Sequence, residues 1–385
     1  MSSNLGEWRP ENSGSNRLME FIVALSILQM ILAATIPSIK VFQVPVELLL
    51  AVLLVFKICT IKLLYEHVFL ITILVFATLW SFFTLDLNTF LVNTKQNSLG
   101  VMSLICFSRI KFYSKLIFPV VVITSLMIII NRMLPQLMLP YISLTFDVAY
   151  NQSTFGGLFL NSHFNAFFLA IALIYYGRQR FLFGGGFLLV YLAASKFILV
   201  SYIANLFCTL LFRAYGISRK RFFMWGTLAG FTAVVLAGIY WSEELTEVMV
   251  LWNTDIGETQ NSLVVIVLQL IDPVYYTILL NLFPSGTITV SEAAKLLYLN
   301  HDGHIELGFL MLAGQSGVLL GFVYLLLLLK NSPLYVVFIL VSLMHNNFIM
   351  SPLCVYMLVT YSSFNVSQKF FRVKTFSLGR AAEPL

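Results

Sequence analysis

The densest cluster of titratable side chains in the chain stands at the mouth of an apolar segment. The stretch NHDGHIELGFLMLAGQSGVLLG (300–321) opens with His301, Asp302, His304 and Glu306 and then becomes apolar and glycine-spaced. Imidazole and carboxyl groups are common general acids and bases. Partial burial disfavours the charged form of a carboxyl group and so suits it to accept a proton. The alternative is that Asp302 and Glu306 only cap the helix that follows.

The composition places the chain in a membrane. Of its 385 residues 59% are hydrophobic and 10% are charged, whereas a soluble domain carries about 25% charged residues. Such a chain cannot cover itself with polar surface, so it fits a lipid bilayer. The four cysteines fall in or beside apolar runs without metal-ligand spacing, which is typical of packing residues.

The apolar runs predict an all-α polytopic membrane protein of about 12 transmembrane helices, forming one domain over 1–385. About 20 apolar residues cross the hydrocarbon core as a helix. The fourth run is the weakest, because Asn93, Lys95, Gln96 and Asn97 interrupt it. The predicted spans are 18–36, 42–57, 66–84, 92–108, 116–133, 157–176, 181–195, 197–213, 222–241, 304–329, 333–347 and 351–366.

The distribution of charge predicts that both termini are cytoplasmic. With that orientation only five of the 23 lysines and arginines face outward, as the positive-inside rule requires. Lys40 and Lys95 lie in early loops and are expected to be ordinary interface residues. The five outward cations are Lys40, Lys95, Arg132, Lys196 and Lys295.

This topology leaves 242–303 as one large outer loop, far longer than most connections. Its stretch 261–283 is nearly as apolar as a span but is broken by Asp272-Pro273. We therefore expect short half-helices that lie on the membrane or dip into it, rather than a crossing. A long outer loop among short ones is typical of a functional element.

Three motifs, in this order, resemble the O-antigen ligase and Wzy-type O-antigen polymerase superfamily. They are GGLFLNSHFNAFFLAIAL (156–173), LAASKFILVSYIANLF (192–207) and ELGFLMLAGQSGVLLG (306–321), which follows the large outer loop. Within the motif 156–173, Ser162 and His163 stand where the family has proline and asparagine. Glu306 stands where the ligase branch has its histidine. These departures favour the polymerase branch.

The resemblance implies a GT-C-like fold in a bacterial inner membrane, with the active site facing the periplasm. It implies glycan transfer from undecaprenyl pyrophosphate to a sugar hydroxyl, which needs a base and groups that stabilise the departing pyrophosphate. The implied base is Glu306, His304 or His301. The implied groups that bind pyrophosphate or glycan are Lys196, Arg132, Lys295, Asn161, His163, His345 and Asn346.

The expected partners are the lipid-linked oligosaccharide, the bilayer and a chain-length regulator. No nucleic acid is expected, since the basic runs 219–221 and 369–374 are better suited to anionic lipids. No cofactor or metal is expected either, because His301 and His304 alone are too few ligands for zinc.

Two other functions stay open at this stage. An O-antigen ligase would make a single transfer, and a lipid-linked oligosaccharide flippase would make none. A flippase would be expected to show repeats between its halves, and the sequence shows none. Arg132 could also be an interfacial residue that extends its charge to water.

Overall fold

The computed structural model describes residues 13–33, 35–110, 112–144, 157–176, 190, 192, 196–214, 277–285, 307–343 and 348–363. These residues form α-helices and short 3-10 turns, without a β-strand. Among them, four helices are long and apolar enough to cross a membrane, or five if a bent pair counts as one span. The prediction of a helical membrane protein is confirmed at this level. The number of 12 spans and the orientation stay predictions.

The helices follow most of the predicted spans. Only positions 190 and 192 of the predicted span 181–195 are described, and the span 222–241 lies outside the described residues. The helices are α1 (Ser13–Ala33), α2 (Pro37–Lys40), α3 (Gln43–Cys59), α4 (Tyr65–Thr84), α5 (Leu87–Arg109), α6 (Ile117–Met133), α7 (Pro135–Ile142), α8 (Ser162–Tyr176), α9 (Lys196–Ala214), α10 (Gly308–Asn331), α11 (Val336–Ser342) and α12 (Pro352–Ser363).

Helix α3 shows how the perimeter is built for lipid. Leu48, Val52 and Phe56 recur every four residues, and each is 59–63% exposed. Leu50 and Leu54 on the opposite face are fully buried. An apolar stripe of this size would be a liability in water. It is the expected outer surface of a helix in a hydrocarbon layer.

Helices α8 and α12 form the centre of the described bundle. Every described side chain from Phe164 to Ile174 is buried, as is every one from Leu353 to Tyr361. Neighbouring helices therefore enclose both helices on all sides. A helix that is apolar all round is the one that suits such a position.

The connections gather at two ends of the bundle. At one end, here the Lys330 end, Lys330 pairs with Glu66 and so joins the last turn of α10 to the first turn of α4. At the other, here the Arg132 end, the Ile36 amide donates to Leu144 O at 2.8 Å and joins the chain after α1 to the chain after α7. Successive long helices from α1 to α6 thus run in alternating directions.

Two of the helices depart from straight spans. Helices α6 and α7 meet at a bend of 119°, where Leu134 leaves the helical conformation and Pro135 begins α7. Helix α10, predicted as one continuous span, is broken at Gly317, which has φ 74° and ψ 153°. The reason is a long-range contact that the sequence does not display, since the backbone of 281–285 lies against the break.

Candidate functional site

Six of the predicted site residues lie outside the part of the chain that the structure describes. The other four, Arg132, Asn161, His163 and Lys196, belong to described elements. The six are His301, His304, Glu306, Lys295, His345 and Asn346. The geometry of the predicted base therefore stays a prediction, whereas the surroundings of the four described residues follow here.

Two asparagines build the entry to α8. Asn161 Oδ1 accepts a hydrogen bond from the Phe164 amide at 2.9 Å, which satisfies one of the unpaired amides at the start of the helix. Asn165 Nδ2 donates to Asn161 O at 2.8 Å, and Asn165 Oδ1 accepts from the Phe159 amide at 3.2 Å. Asn161 is therefore a helix cap, which leaves its amide nitrogen as the group that could reach a ligand. His163, the second residue of α8, is half-buried.

The turn before α8 is tightly held. Leu160 has φ 52°, a left-handed conformation that costs a non-glycine residue energy. A Cβ built on Gly157 would lie 2.9 Å from Asn165 Oδ1 and 3.0 Å from Ile128 Cγ1, so any larger residue there would force these side chains to shift. The Tyr141 hydroxyl donates to Leu158 O. These contacts fix the start of α8 against the end of α6 and against α7.

Arg132 contacts the chain shortly before the helix that begins at Lys196. The Nε and Nη2 atoms of Arg132 lie 3.4 and 3.3 Å from Leu192 O. Lys196, four residues after Leu192, is the first residue of α9. The amides at a helix start carry partial positive charge and bind anions. Arg132 therefore lies close to the chain that leads into α9, and a guanidinium group can stabilise a phosphate group.

An ion pair between α3 and α5, with a buried carboxylate and a partly exposed lysine, was not anticipated from the sequence. Lys95 lies inside α5, not in a loop as expected, and its Nζ is 3.0 Å from Glu47 Oε2. Glu47 is only 4% exposed, and its Oε1 accepts from Gln43 Nε2 at 2.6 Å and from Gln29 Nε2 at 3.1 Å. Two features of the sequence could have indicated this pair: Lys95 interrupts the fourth apolar run, and Glu47 is a carboxylate within the second.

A second polar group joins α5 to the break in α10. Ser316 Oγ donates to Asn97 Oδ1 at 2.6 Å, and Asn97 Nδ2 donates to Gln315 O at 3.0 Å. On the far side of the break, the amides of Val318 and Leu319 donate to Asn281 O and Leu282 O at 3.1 and 3.2 Å. Backbone groups released by the break are thus paired with a segment distant in sequence.

The two halves of α10 fold against each other. A Cβ on Gly321 would lie 3.2 Å from Leu312 Cγ and 3.6 Å from Leu312 O. These residues are nine positions apart, which would separate them by about 13 Å along a straight helix. The bend at Gly317 is therefore sharp. The part after it, 318–331, is shorter than the roughly 20 residues that a span needs, so α10 reaches the length of a span only when both halves are counted together.

Neither a metal site nor a similar known protein identifies the reaction that the described residues could support. Within the described ranges, no group of three or more His, Cys, Asp or Glu side chains could hold a metal ion. Comparisons with protein-family models, with curated proteins and with solved structures found no match. The class that the chain displays is thus a helical, membrane-embedded protein with polar groups set inside its bundle.

Proposed function

We propose that the protein polymerises undecaprenyl-pyrophosphate-linked oligosaccharide repeat units by metal-independent glycosyl transfer at the periplasmic face of a bacterial inner membrane. The observation that supports this most is the contact between Arg132 and Leu192 O, four residues before Lys196. It holds Arg132, which the resemblance assigns to the departing pyrophosphate, against the chain that leads to Lys196, the other cation that the resemblance assigns first.

The reaction assigns each group a separate task. The hydroxyl oxygen of the acceptor glycan attacks the anomeric carbon of the donor glycan, and the bond from that carbon to pyrophosphate breaks. The hydroxyl proton passes to Glu306, His304 or His301 as the base. Arg132 and Lys196 hold the negative charge that develops on the leaving undecaprenyl pyrophosphate. His163, Lys295, His345, Asn346 and the amide nitrogen of Asn161 complete the pyrophosphate and sugar contacts.

A reconstituted reaction tests this function directly. The purified protein is given the lipid-linked repeat unit in detergent with a chelator, and the products are separated on a gel. A ladder of lengths is expected. A single transfer to lipid A core, when that acceptor is supplied, would instead mean a ligase.

Replacing Arg132 tests the assignment of the leaving-group site. Arg132→Gln removes the charge but keeps a hydrogen-bond donor, and we expect polymer formation to fall about 100-fold. Lys40→Gln, at the same end of the bundle, is the matched control and should retain full activity. Equal activity of the two variants would exclude Arg132 from the site. Glu306→Gln and His304→Ala should each abolish the product without loss of folded protein.

Transport of the lipid-linked unit is the second candidate, and the broken helix α10 favours it. Discontinuous helices whose free backbone groups face a binding site are typical of secondary transporters, and α10 is interrupted at Gly317. The same preparation in vesicles separates the two functions. Movement of the lipid-linked unit across the membrane without formation of polymer would favour a flippase.

A further inference from the structure

One buried side chain in α5 has no described interaction that accounts for it. Asn93 is 1% exposed, and neither its Oδ1 nor its Nδ2 has a hydrogen-bond partner among the residues that the structure describes. It is the one side chain there with two buried polar atoms in this condition. Each such atom destabilises a folded protein unless a partner arrives. Within the described residues, this amide therefore has two hydrogen-bonding atoms that a bound group could engage.

The neighbours of Asn93 show that the position is a polar site and not an isolated defect. Thr94, the next residue, has a buried hydroxyl oxygen that also lacks a partner among the described residues. Asn97, one turn along the same face, is satisfied by Ser316 and Gln315. Asn97 therefore holds α5 to the break in α10, whereas Asn93 and Thr94 keep their hydrogen-bonding capacity unused.

The chemistry of these groups selects a neutral ligand. An amide offers two donors and an acceptor, and a hydroxyl offers one donor and acceptor positions. Lys95, two residues along α5, already pairs with Glu47, so these two charges compensate each other. Asn93 and Thr94 carry no charge of their own that would select a phosphate or a cation. Hydroxyl and acetamido groups of a sugar pair with such a set in both directions.

We propose that Asn93 and Thr94 form a subsite that binds hydroxyl or acetamido groups of the glycan, beside the broken helix α10. This inference rests on the proposed function of glycan transfer. Asn93 is enclosed in the structure, so the sugar reaches it when α10 moves away from α5. The non-helical backbone at Gly317, next to the Ser316 contact, is the joint that permits this movement.

Replacing Asn93 by an apolar side chain of similar size separates this role from a structural one. Asn93→Leu removes two unpaired polar atoms from the interior, so its melting temperature in detergent should equal or exceed that of the unchanged protein. Its polymer formation from the lipid-linked repeat unit should fall about tenfold, because the sugar loses its hydrogen bonds. Asn93→Ser, which keeps a donor and an acceptor, should recover part of the activity.

Two matched variants on the same helix serve as controls. Asn97→Leu breaks the contacts with Ser316 and Gln315 and should lower the melting temperature. Asn88→Leu replaces an exposed asparagine and should change neither property. If Asn93→Leu has a lower melting temperature and loses activity only in proportion to its loss of folded protein, Asn93 has a structural role and the proposal is wrong.

The unchanged protein distinguishes failure of this subsite from failure of the proposed function. If it forms polymer and Asn93→Leu forms as much, Asn93 binds only water and the subsite alone is excluded. If the unchanged protein forms no polymer from the lipid-linked repeat unit, the proposed function falls, and the glycan subsite falls with it.

Discussion

At the scale of single residues, the ion pair between Glu47 and Lys95 places a carboxylate inside the described bundle. Removing a carboxylate from water is strongly unfavourable unless its oxygens are paired. Here two glutamine amides hold one oxygen and Lys95 holds the other. The pair on Glu66 and Lys330 differs, since its side chains are 28% and 61% exposed. The two pairs should therefore respond differently to substitution.

We expect Glu47→Leu and Lys95→Met each to lower the free energy of unfolding by about 2–4 kcal/mol, because each leaves a partner unpaired. This loss is smaller than for a fully buried pair, since the Lys95 side chain is 44% exposed. The double variant should lose less than the sum of the two, since it removes both charges. Thermal melting of the single and double variants in detergent measures the energetic coupling between Glu47 and Lys95. Lys330→Met, the control at the exposed pair, should cost less than about 1 kcal/mol. Additive losses at Glu47 and Lys95 would contradict the coupling.

Residue types alone predicted the positions of some candidate site residues at the starts of helices. The sequence placed Asn161 at the opening of a helix, and the structure finds it there as a cap. It also placed Lys196 where α9 begins. It could not assign Glu47 a partner, because the partners come from α1 and α5 and depend on how three helices pack. Long-range pairing of this kind leaves no local pattern in the chain.

At the scale of elements, helix positions were predictable and helix shape was not. Apolar length indicated α1, α3, α4 and α6 within a few residues, since a membrane requires long apolar runs. The break in α10 was missed because glycines at 308, 314, 317 and 321 are equally compatible with a continuous packed helix. What unwinds Gly317 is the backbone of 281–285, more than 30 residues earlier in the chain.

Gly317→Ala tests whether that break is required. A Cβ there would lie 2.5 Å from Phe283 C and 2.6 Å from Leu282 O, both backbone atoms that cannot rotate away. The φ of 74° adds strain of about 1–3 kcal/mol for alanine. We expect a lower melting temperature and faster cleavage by chymotrypsin after Leu282, as the 281–285 segment detaches; the bond after Phe283 resists the protease because Pro284 follows it.

Gly321→Ala is the matched control for the break. Its new Cβ would meet Leu312 Cγ at 3.2 Å, a side-chain atom that can shift, within helical backbone. Alanine also has the better helix propensity, by about 1 kcal/mol. Its cleavage rate should therefore stay close to that of the unchanged protein. Equal behaviour of the two variants would mean that the break is not needed to hold the segment.

At the scale of the whole molecule, the two ends of the bundle differ in charge. Lys62, Arg109, Lys115 and Lys330 are exposed in or beside the turns of the Lys330 end. The Arg132 end carries fewer described cations and contains the cap of α8 and the contact between Arg132 and Leu192. By the positive-inside rule we expect the Lys330 end to face the cytoplasm. The proposed transfer site would then face outward, as the proposed function requires.

Cysteine labelling in intact cells tests this orientation, because α3 separates one exposed position at each end. Ser38 is exposed at the Arg132 end, and the native Cys59 is exposed at the Lys330 end. A maleimide that cannot cross membranes should label Ser38→Cys in a Cys59→Ser background in intact cells. Cys59 of the unchanged protein should react only after the cells are opened, and Cys106 and Cys354, which are buried, should not react in either state. Labelling of Cys59 in intact cells, with Ser38→Cys protected, would show that the protein has the opposite orientation in the membrane. The Arg132 end would then face the cytoplasm, and glycan transfer at the periplasmic face would be excluded for the groups assigned here.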